Sequence, residues 1–408
     1  MVFVGIDWSD RFHSFCVLDA DGNKLDGFEI PHGQEGFESA QARLRKHARC
    51  VEDIVIAIET KDSLIVDFFS EMGYVLHFLN PKQTDRFRDR HRMAHSKSDG
   101  FDAYVLADAL RTDAHLFAAL SPLDEQSLAL RVLTRSRVNL VKRKVAVVNE
   151  LKAALKRYFP LALELFAELE HPGSIDYLLK YPTYAQARTV SAARIVSILV
   201  KAGAREKSAA KRAEQMRQKL QSAQPTPSKS AASAYPPAVR SLLRQLRSIV
   251  TELECLDSEI RTISRDHPNK ELIQSLPGIG EALGPVFAAE IGADVARFSE
   301  IKTLKAFCGS SPVTARSGKY QSVHFRRACN AHLRRALHLA SAGAIITCPW
   351  ARELYDRLKA KGKSHGRALR AVGDQLIEIL YAVLRRRRPY DEAYHLRMKS
   401  LHGKPVQY

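Results

Sequence analysis

Val2-Phe3-Val4-Gly5-Ile6-Asp7, at the head of the chain, is a short apolar run that ends on a carboxylate. A second run of the same kind, Ile54-Val55-Ile56-Ala57-Ile58-Glu59, follows further on. Short apolar runs rich in β-branched residues and bounded by polar ones read as buried strands. Between them, residues 13–19 read as another strand, Asp21-Gly22 is a two-residue hairpin signal, and residues 25–30 read as a third short strand. A helix near 34–47 leads to the strand 53–59. A helix near 62–72 leads to a strand at 74–79, closed by Asn80-Pro81. Three meandering strands followed by strand–helix units describe a mixed sheet with helices around it.

That order is the order of the ribonuclease-H-like α/β fold. Asp7 and Glu59, at the ends of adjacent central strands, then converge on one sheet edge. Asp99 and Asp102 stand three apart where a helical pattern begins, in Ser98-Asp99-Gly100-Phe101-Asp102-Ala103-Tyr104, and share a helix face. Mg²⁺ takes oxygen ligands, and phosphoryl transfer needs several carboxylates converging on the cation to balance charge at the scissile phosphate. Any single one of these acids is more often a turn residue or a helix cap. All four in this order, within a basic chain, point to a magnesium site for cutting nucleic acid. Asp10, Asp53, Asp62 and Asp108 are the candidate bystanders, and Asp108, further along the same helix, is the chief alternative to the four.

The 408 residues carry 63 Lys and Arg against 45 Asp and Glu, a formal net charge of +18. A surplus of that size favours a polyanionic partner, through phosphate neutralisation and counterion release. No apolar run approaches the length that spans a bilayer, and the first residues lack a signal-peptide pattern. Nucleic acid rather than a membrane is therefore the expected partner, and the cytoplasm the expected setting. Six cysteines without a Cys-x-x-Cys pair argue against a structural zinc site and a disulfide framework. The histidines include no His-Glu-x-x-His pattern, so a zinc hydrolase has no support.

Length and pattern suggest three parts: an α/β domain over 1–120, a helical region over 121–268, and a helical C-terminal domain over 269–408. Residues 124–159 are helical and basic, ended by Pro160. Residues 222–237, with four prolines among serines and alanines, read as a loop or linker. After it, Val239, Leu242, Leu246, Ile249, Leu253, Leu256, Ile260 and Ile263 alternate spacings of three and four. That is a coiled-coil seam, pairing with the 124–159 helix or between subunits, or else one amphipathic helix of a bundle.

Leu276-Pro277-Gly278-Ile279-Gly280 resembles a helix–hairpin–helix turn, in which Gly278 and Gly280 let the backbone approach a phosphate. Residues Ser310–Ser322 read as an exposed loop containing Ser317-Gly318. A serine there becomes a phosphate nucleophile if cations hold it, and Arg316, Lys319, Arg326 and Arg327 are the nearby candidates. A plain Ser-Gly turn is the commoner meaning of such a pair, and Ser310, Ser311 and Ser322 compete for the role. Basic clusters at Arg86–Arg92, Arg326–Arg335 and Arg385–Arg388 have aromatic neighbours in Phe87, Phe325 and Tyr381, whose alternatives are base stacking and core packing.

Taken in order, Gly5-Ile6-Asp7, Ile58-Glu59-Thr60, Asn80-Pro81, Lys97-Ser98-Asp99-Gly100-Phe101-Asp102-Ala103, Leu276-Pro277-Gly278-Ile279-Gly280 and Ser317-Gly318 resemble the landmarks of the DEDD-type insertion-sequence transposases, bridge-RNA-guided serine recombinases with a RuvC-like domain. The resemblance covers most of the chain. It implies that Asp7, Glu59, Asp99 and Asp102 form a RuvC-like, Mg²⁺-dependent site. It also implies that Ser317 attacks DNA to give a covalent phosphoserine, within a homo-oligomer (dimer or tetramer) that a coiled coil helps assemble. A structured guide RNA pairing with double-stranded donor and target DNA is implied as well. The chain departs from the family pattern at Lys97-Ser98-Asp99, where Lys-Thr-Asp is usual, and at Gly309-Ser310-Ser311-Pro312, where Gly-Leu-x-Pro is usual. The rival reading is a Holliday-junction-resolving nuclease that uses water and forms no covalent intermediate.

Overall fold

A computed structural model describes residues 1–91, 98–117, 119–120, 123–222, 227–318 and 320–402, with side chains up to residue 397. Lys97 and Lys319 lie outside the described residues. The chain divides into two compact units, Met1–Pro122 and Leu123–Tyr408.

The first unit is built on strands β1 (Val2–Trp8), β2 (Phe12–Leu18), β3 (Lys24–Pro31), β4 (Ile54–Ile58) and β5 (Val75–Phe78), in the order β3-β2-β1-β4-β5. The meander is antiparallel, whereas β1 runs parallel to β4 and β4 to β5. Helices α1 (Gln34–Leu44), α2 (Leu64–Glu71), α3 (Pro81–His91) and α4 (Asp99–Asp113) surround it. Side chains alternate along a strand, and both faces of β1 and β4 are covered. Val2, Val4 and Ile6 join Ile54, Ile56 and Ile58 in a core with α1 and α2. Phe3, Val55 and Ala57 turn the other way, onto Leu106, Ala109 and Leu110 of α4. Gly5 is what admits α4 so closely, because a Cβ there would lie 1.9 Å from the carbonyl oxygen of Ala103. This mixed sheet is consistent with the ribonuclease-H-like expectation.

The second unit is mainly helical: α5 (Glu125–Tyr158), α6 (Ala162–Leu165), α7 (Pro172–Lys180), α8 (Tyr184–Arg188), α9 (Ala192–Lys201), α10 (Glu206–Gln221), α11 (Lys229–Arg265), α12 (Lys270–Gln274), α13 (Gly284–Ile291), α14 (Ile301–Cys308), α15 (Ala331–Thr347), α16 (Pro349–Ala360), α17 (His365–Arg386) and α18 (Glu392–His402). A short ribbon, β6 (Val313–Ser317) with β7 (Tyr320–His324), stands where a loop was expected. Helices α5 and α11 run antiparallel: Ser127 meets His267 at 3.0 Å, Arg137 pairs with Asp257, and the Tyr158 and Tyr235 rings stack. Their two ends enter different cores. Leu151, Leu155, Val239 and Leu246 belong to one with α7, α9 and α10, and Leu130 and Ile260 to another with α12–α17. Along α11, Val239, Leu246, Leu253 and Ile260 are buried, while Leu242, Ile249, Leu256 and Ile263 are half-buried.

The 222–237 linker is corrected in part, since α11 begins at Lys229 and contains Pro236 and Pro237. Ser228 caps it by accepting a hydrogen bond from the Ala231 amide, and Pro236 and Tyr235 are packed against the bundle. Tertiary burial there outweighs the backbone hydrogen bonds that two prolines cannot donate. Residues 223–226 lie outside the described residues. No described helix is long and apolar enough to cross a membrane.

Candidate active site

Pleat and register place the acids. Ile6 pairs with Ile58 across the parallel β1–β4 ladder, so Asp7 and Glu59 are the next residues along neighbouring strands. Parity puts both on the face that Gly5, Val55 and Ala57 present to α4. The direction of α4 follows from its far end. Arg111 donates to the Ala20 carbonyl at the β2–β3 turn, near the start of β1, where Phe3 pairs with Leu18. The N-terminal turn of α4, with Asp99 and Asp102, therefore lies toward the Asp7 end of β1. Asp102 is 3% exposed and Asp99 is exposed.

Sequence reasoning missed a cation in this constellation. Arg88, on α3, donates from Nε to Asp102 Oδ1 at 2.8 Å and from Nη1 to Asp85 at 2.7 Å. Among the described residues no three carboxylate, imidazole or thiol side chains are yet drawn into one coordination shell. The donor chemistry fits a hard divalent cation, being all carboxylate oxygen. Arg88 occupies one of the Asp102 oxygens, so a cation taking Oδ1 would displace the guanidinium. Asp108, further along the helix, is 4% exposed and tied to Arg111 at 2.7 Å and His91 at 3.0 Å.

The ribbon places Ser317 at the strand end before a tight turn, opposite Tyr320, with Gly318 at φ +56°. Cross-strand pairs share a face. Ser317, Tyr320, Ser322 and His324 thus line one side of the ribbon, and Arg316 and Gln321 the other, joined by hydrogen bonds of 3.0 and 3.1 Å. The Ser322 hydroxyl and His324 Nε2 are 2.8 Å apart, so a base stands beside Ser322. No described side chain hydrogen-bonds the Ser317 hydroxyl. Ser310 is occupied, donating to Asp374 at 2.9 Å. Arg326 is spent on the Ser311 carbonyl at 3.0 Å, and Arg327 is exposed.

The Pro277–Gly280 turn has an internal reason for one of its glycines. Gly278, at φ +78°, rests on α15, where a Cβ would lie 2.1 Å from the Ala340 carbonyl oxygen. Its missing side chain lets the turn pack closely on that helix. Gly280 is exposed with open space around it.

Known proteins match along nearly the whole chain. Residues 4–160 match the model of a DEDD transposase of IS110 type, described as a transposase, and residues 270–356 match the model described as the transposase IS116/IS110/IS902 family. A protein named as the transposase for the IS117 mini-circle, from Streptomyces coelicolor, is 31% identical over 396 residues, spanning 96% of this chain and 95% of its own. The 43.6 kDa protein of insertion element IS110, also from Streptomyces coelicolor, is 26% identical over 94% of both chains. The 42 kDa protein of insertion element IS900 from Mycobacterium paratuberculosis is 29% identical over 96% of this chain and 98% of its own.

Proposed function

The chain belongs to the IS110 family of insertion-sequence transposases, and on that premise we propose that it cuts and rejoins DNA through a covalent phosphoserine on Ser317. The observation that carries this reading is the placement of Asp7 and Glu59 at neighbouring strand ends, on the face turned to α4, whose first turn carries Asp99 and Asp102. These four residues would hold Mg²⁺, which when bound neutralises charge on the scissile phosphate. Arg88, now on Asp102, would be freed for a phosphate oxygen by a cation held there.

At the ribbon, the Ser317 oxygen loses its proton and bonds to the phosphorus as the bond from phosphorus to the sugar oxygen breaks. The released sugar oxygen takes up a proton. Rejoining runs the same exchange backwards with a new sugar hydroxyl, so the phosphoester bond energy is conserved. The net charge of +18 and the exposed ribbon supply the surface for double-stranded DNA of the element ends and target. A structured RNA guide, a cytoplasmic setting and assembly as a homo-oligomer belong to the same proposal. The half-buried heptad row of α11 supports the assembly. A water-using junction-resolving nuclease would share the acids but leave the ribbon without a task.

The test is to trap the adduct on labelled element-end DNA with Mg²⁺ and denature. Wild type yields a protein–DNA adduct and Ser317→Ala does not. An adduct that persists in Ser317→Ala and disappears in Ser322→Ala moves the nucleophile to the serine beside His324. Recombination that survives Asp7→Asn and Glu59→Gln removes the metal site.

A further inference from the structure

At the foot of the ribbon, the second unit has a cavity of about 240 Å³ with an apolar floor and a cationic rim. The floor is buried and formed by Cys308, Leu337, Leu369 and Gly373. Around the mouth stand Arg334, Arg335, Arg370 and His338, with Phe325 at the edge, 46% exposed. The Arg334 and Arg370 guanidinium carbons each lie 5.2 Å from the centre of the Phe325 ring.

Two features separate this cluster from an ordinary solvated face. Several arginines of the unit meet acids: Arg131 and Arg135 face Glu290, Arg137 faces Asp257, and Arg247 faces Asp176. Among the described residues none of the rim cations has a carboxylate within salt-bridge distance, and Asp374, one turn along α17 from Arg370, is taken by Lys305 and Ser310. Two guanidiniums sharing one ring repel each other until an anion lies between them. Phe325 itself differs from the other aromatics beside basic clusters. Phe87 packs onto Leu106 and Phe117, and Tyr381 donates to the Phe298 carbonyl, whereas Phe325 stays open.

We propose that this cavity holds one unpaired nucleotide, its phosphate on the Arg334, Arg335 and Arg370 guanidiniums and its base against Phe325 and the apolar floor. Planar guanidiniums suit phosphate oxygens, and an open aromatic ring suits any base. A single ring over a small cavity suits one base and leaves no place for a pair. Five residue steps, about 17 Å at 3.4 Å each, lead from Tyr320, the partner of Ser317, along β7 to Phe325 just past its end. The arginines are thus positioning residues that hold a strand away from the reacting phosphate. The proposal rests on the reading of the chain as a nucleic-acid enzyme.

The test uses the full chain and fluorescent oligonucleotides: a blunt duplex, and the same duplex with a short single-stranded overhang, made in DNA and in RNA. Wild type is expected to favour the overhang by about tenfold. Phe325→Leu and Arg370→Gln lose that preference at unchanged blunt-duplex affinity, and Phe325→Trp keeps it. A 2-aminopurine in the overhang is quenched by wild type and Phe325→Trp and not by Phe325→Leu. Preference for the DNA overhang makes the nucleotide part of the substrate, and preference for the RNA overhang makes it part of a guide. If blunt duplex is bound but the preference and quenching are absent, or persist in Phe325→Leu and Arg370→Gln, the cavity assignment alone is overturned. If wild type binds none of these oligonucleotides, the nucleic-acid reading falls and takes the cavity with it.

Discussion

Asp7 and Glu59 end strands that are buried on both faces, whereas Ser317 ends a ribbon whose two faces are both open. The acids are positioned by a sheet, a register and a glycine contact that all belong to the unit's own core. The ribbon has only its own cross-strand pairs, and two strands alone are marginal in water. Val313, Tyr320 and Val323 are exposed on it at 41%, 70% and 54%, so whatever covers the ribbon also fixes it. The backbone under Asp7 and Glu59 is held by the unit's own core, and the backbone under Ser317 is not. Substitutions should therefore damage the two halves through different measurements.

The largest contrast lies in the reaction itself. Asp7→Asn, Glu59→Gln and Ser317→Ala should each lower strand exchange by about a thousandfold or more, within the range seen when a metal site or nucleophile is removed. The thermal midpoint of Ser317→Ala should stay at the wild-type value. A melting change in Ser317→Ala would show that the ribbon is not the independent element described.

Glycine substitutions come next. Gly5→Ala drives a Cβ into the Ala103 carbonyl at the interface of β1 and α4, and should cost about 3 kcal/mol by chemical denaturation. Gly318→Ala strains only a φ of +56° at an open turn and should cost about 1 kcal/mol. Equal costs would erase the distinction between the two halves.

Arg88 offers a smaller and more specific effect. Arg88→Ala strips the 3%-exposed Asp102 of its cation and should lower the thermal midpoint without divalent metal. Saturating Mg²⁺ should then raise the midpoint of Arg88→Ala more than that of wild type, because binding no longer displaces an internal partner. Equal Mg²⁺ shifts would place the metal away from Asp102.

Acid should distinguish the units most gently. Burial, with His32 beside it, lowers the His13 pKa from 6.5 to about 4. The unfolded chain therefore takes the proton first. His13's contribution to the first unit is complete above pH 6.5 and is lost as pH falls toward 4, by up to about 3 kcal/mol. In the second unit, burial would raise the Glu290 pKa, but hydrogen bonds from Arg135 and Asn330 outweigh it and hold the carboxyl below its ordinary value of 4.5. Its contribution persists above that value and is lost only as pH falls below it. Melts followed between pH 7 and 4 should show the first unit weakening earlier, and His13→Gln should flatten that slope.

Much of the first unit was legible because its signals are local. Alternation, β-branched runs ending on acids and an Asp-Gly turn place strands within a residue or two. The placement of Asp7, Glu59, Asp99 and Asp102 on strand ends and a helix start was legible, since strand ends and helix spacing dictate where such residues lie. Arg88 was hidden, because nothing in a basic helix tells which arginine turns toward a buried acid. His324 and Arg370 were hidden for the same reason, being ordinary exposed residues until the ribbon and α17 put them beside Ser322 and Phe325. The 229–237 helix was obscured by its prolines, whose usual meaning yielded to the stacking of Tyr235 on Tyr158.

By itself the sequence determined the order of elements in the first unit, the basic charge and the family, because each depends on residue type at short or ordered spacing. Tertiary structure alone decided that Asp102 is met by Arg88, that Gly278 packs on a helix, and that Phe325 lies exposed beside Arg334 and Arg370. Those outcomes depend on which of several chemically equivalent residues face each other across the fold, and a long-range choice of that kind leaves no periodicity in the chain.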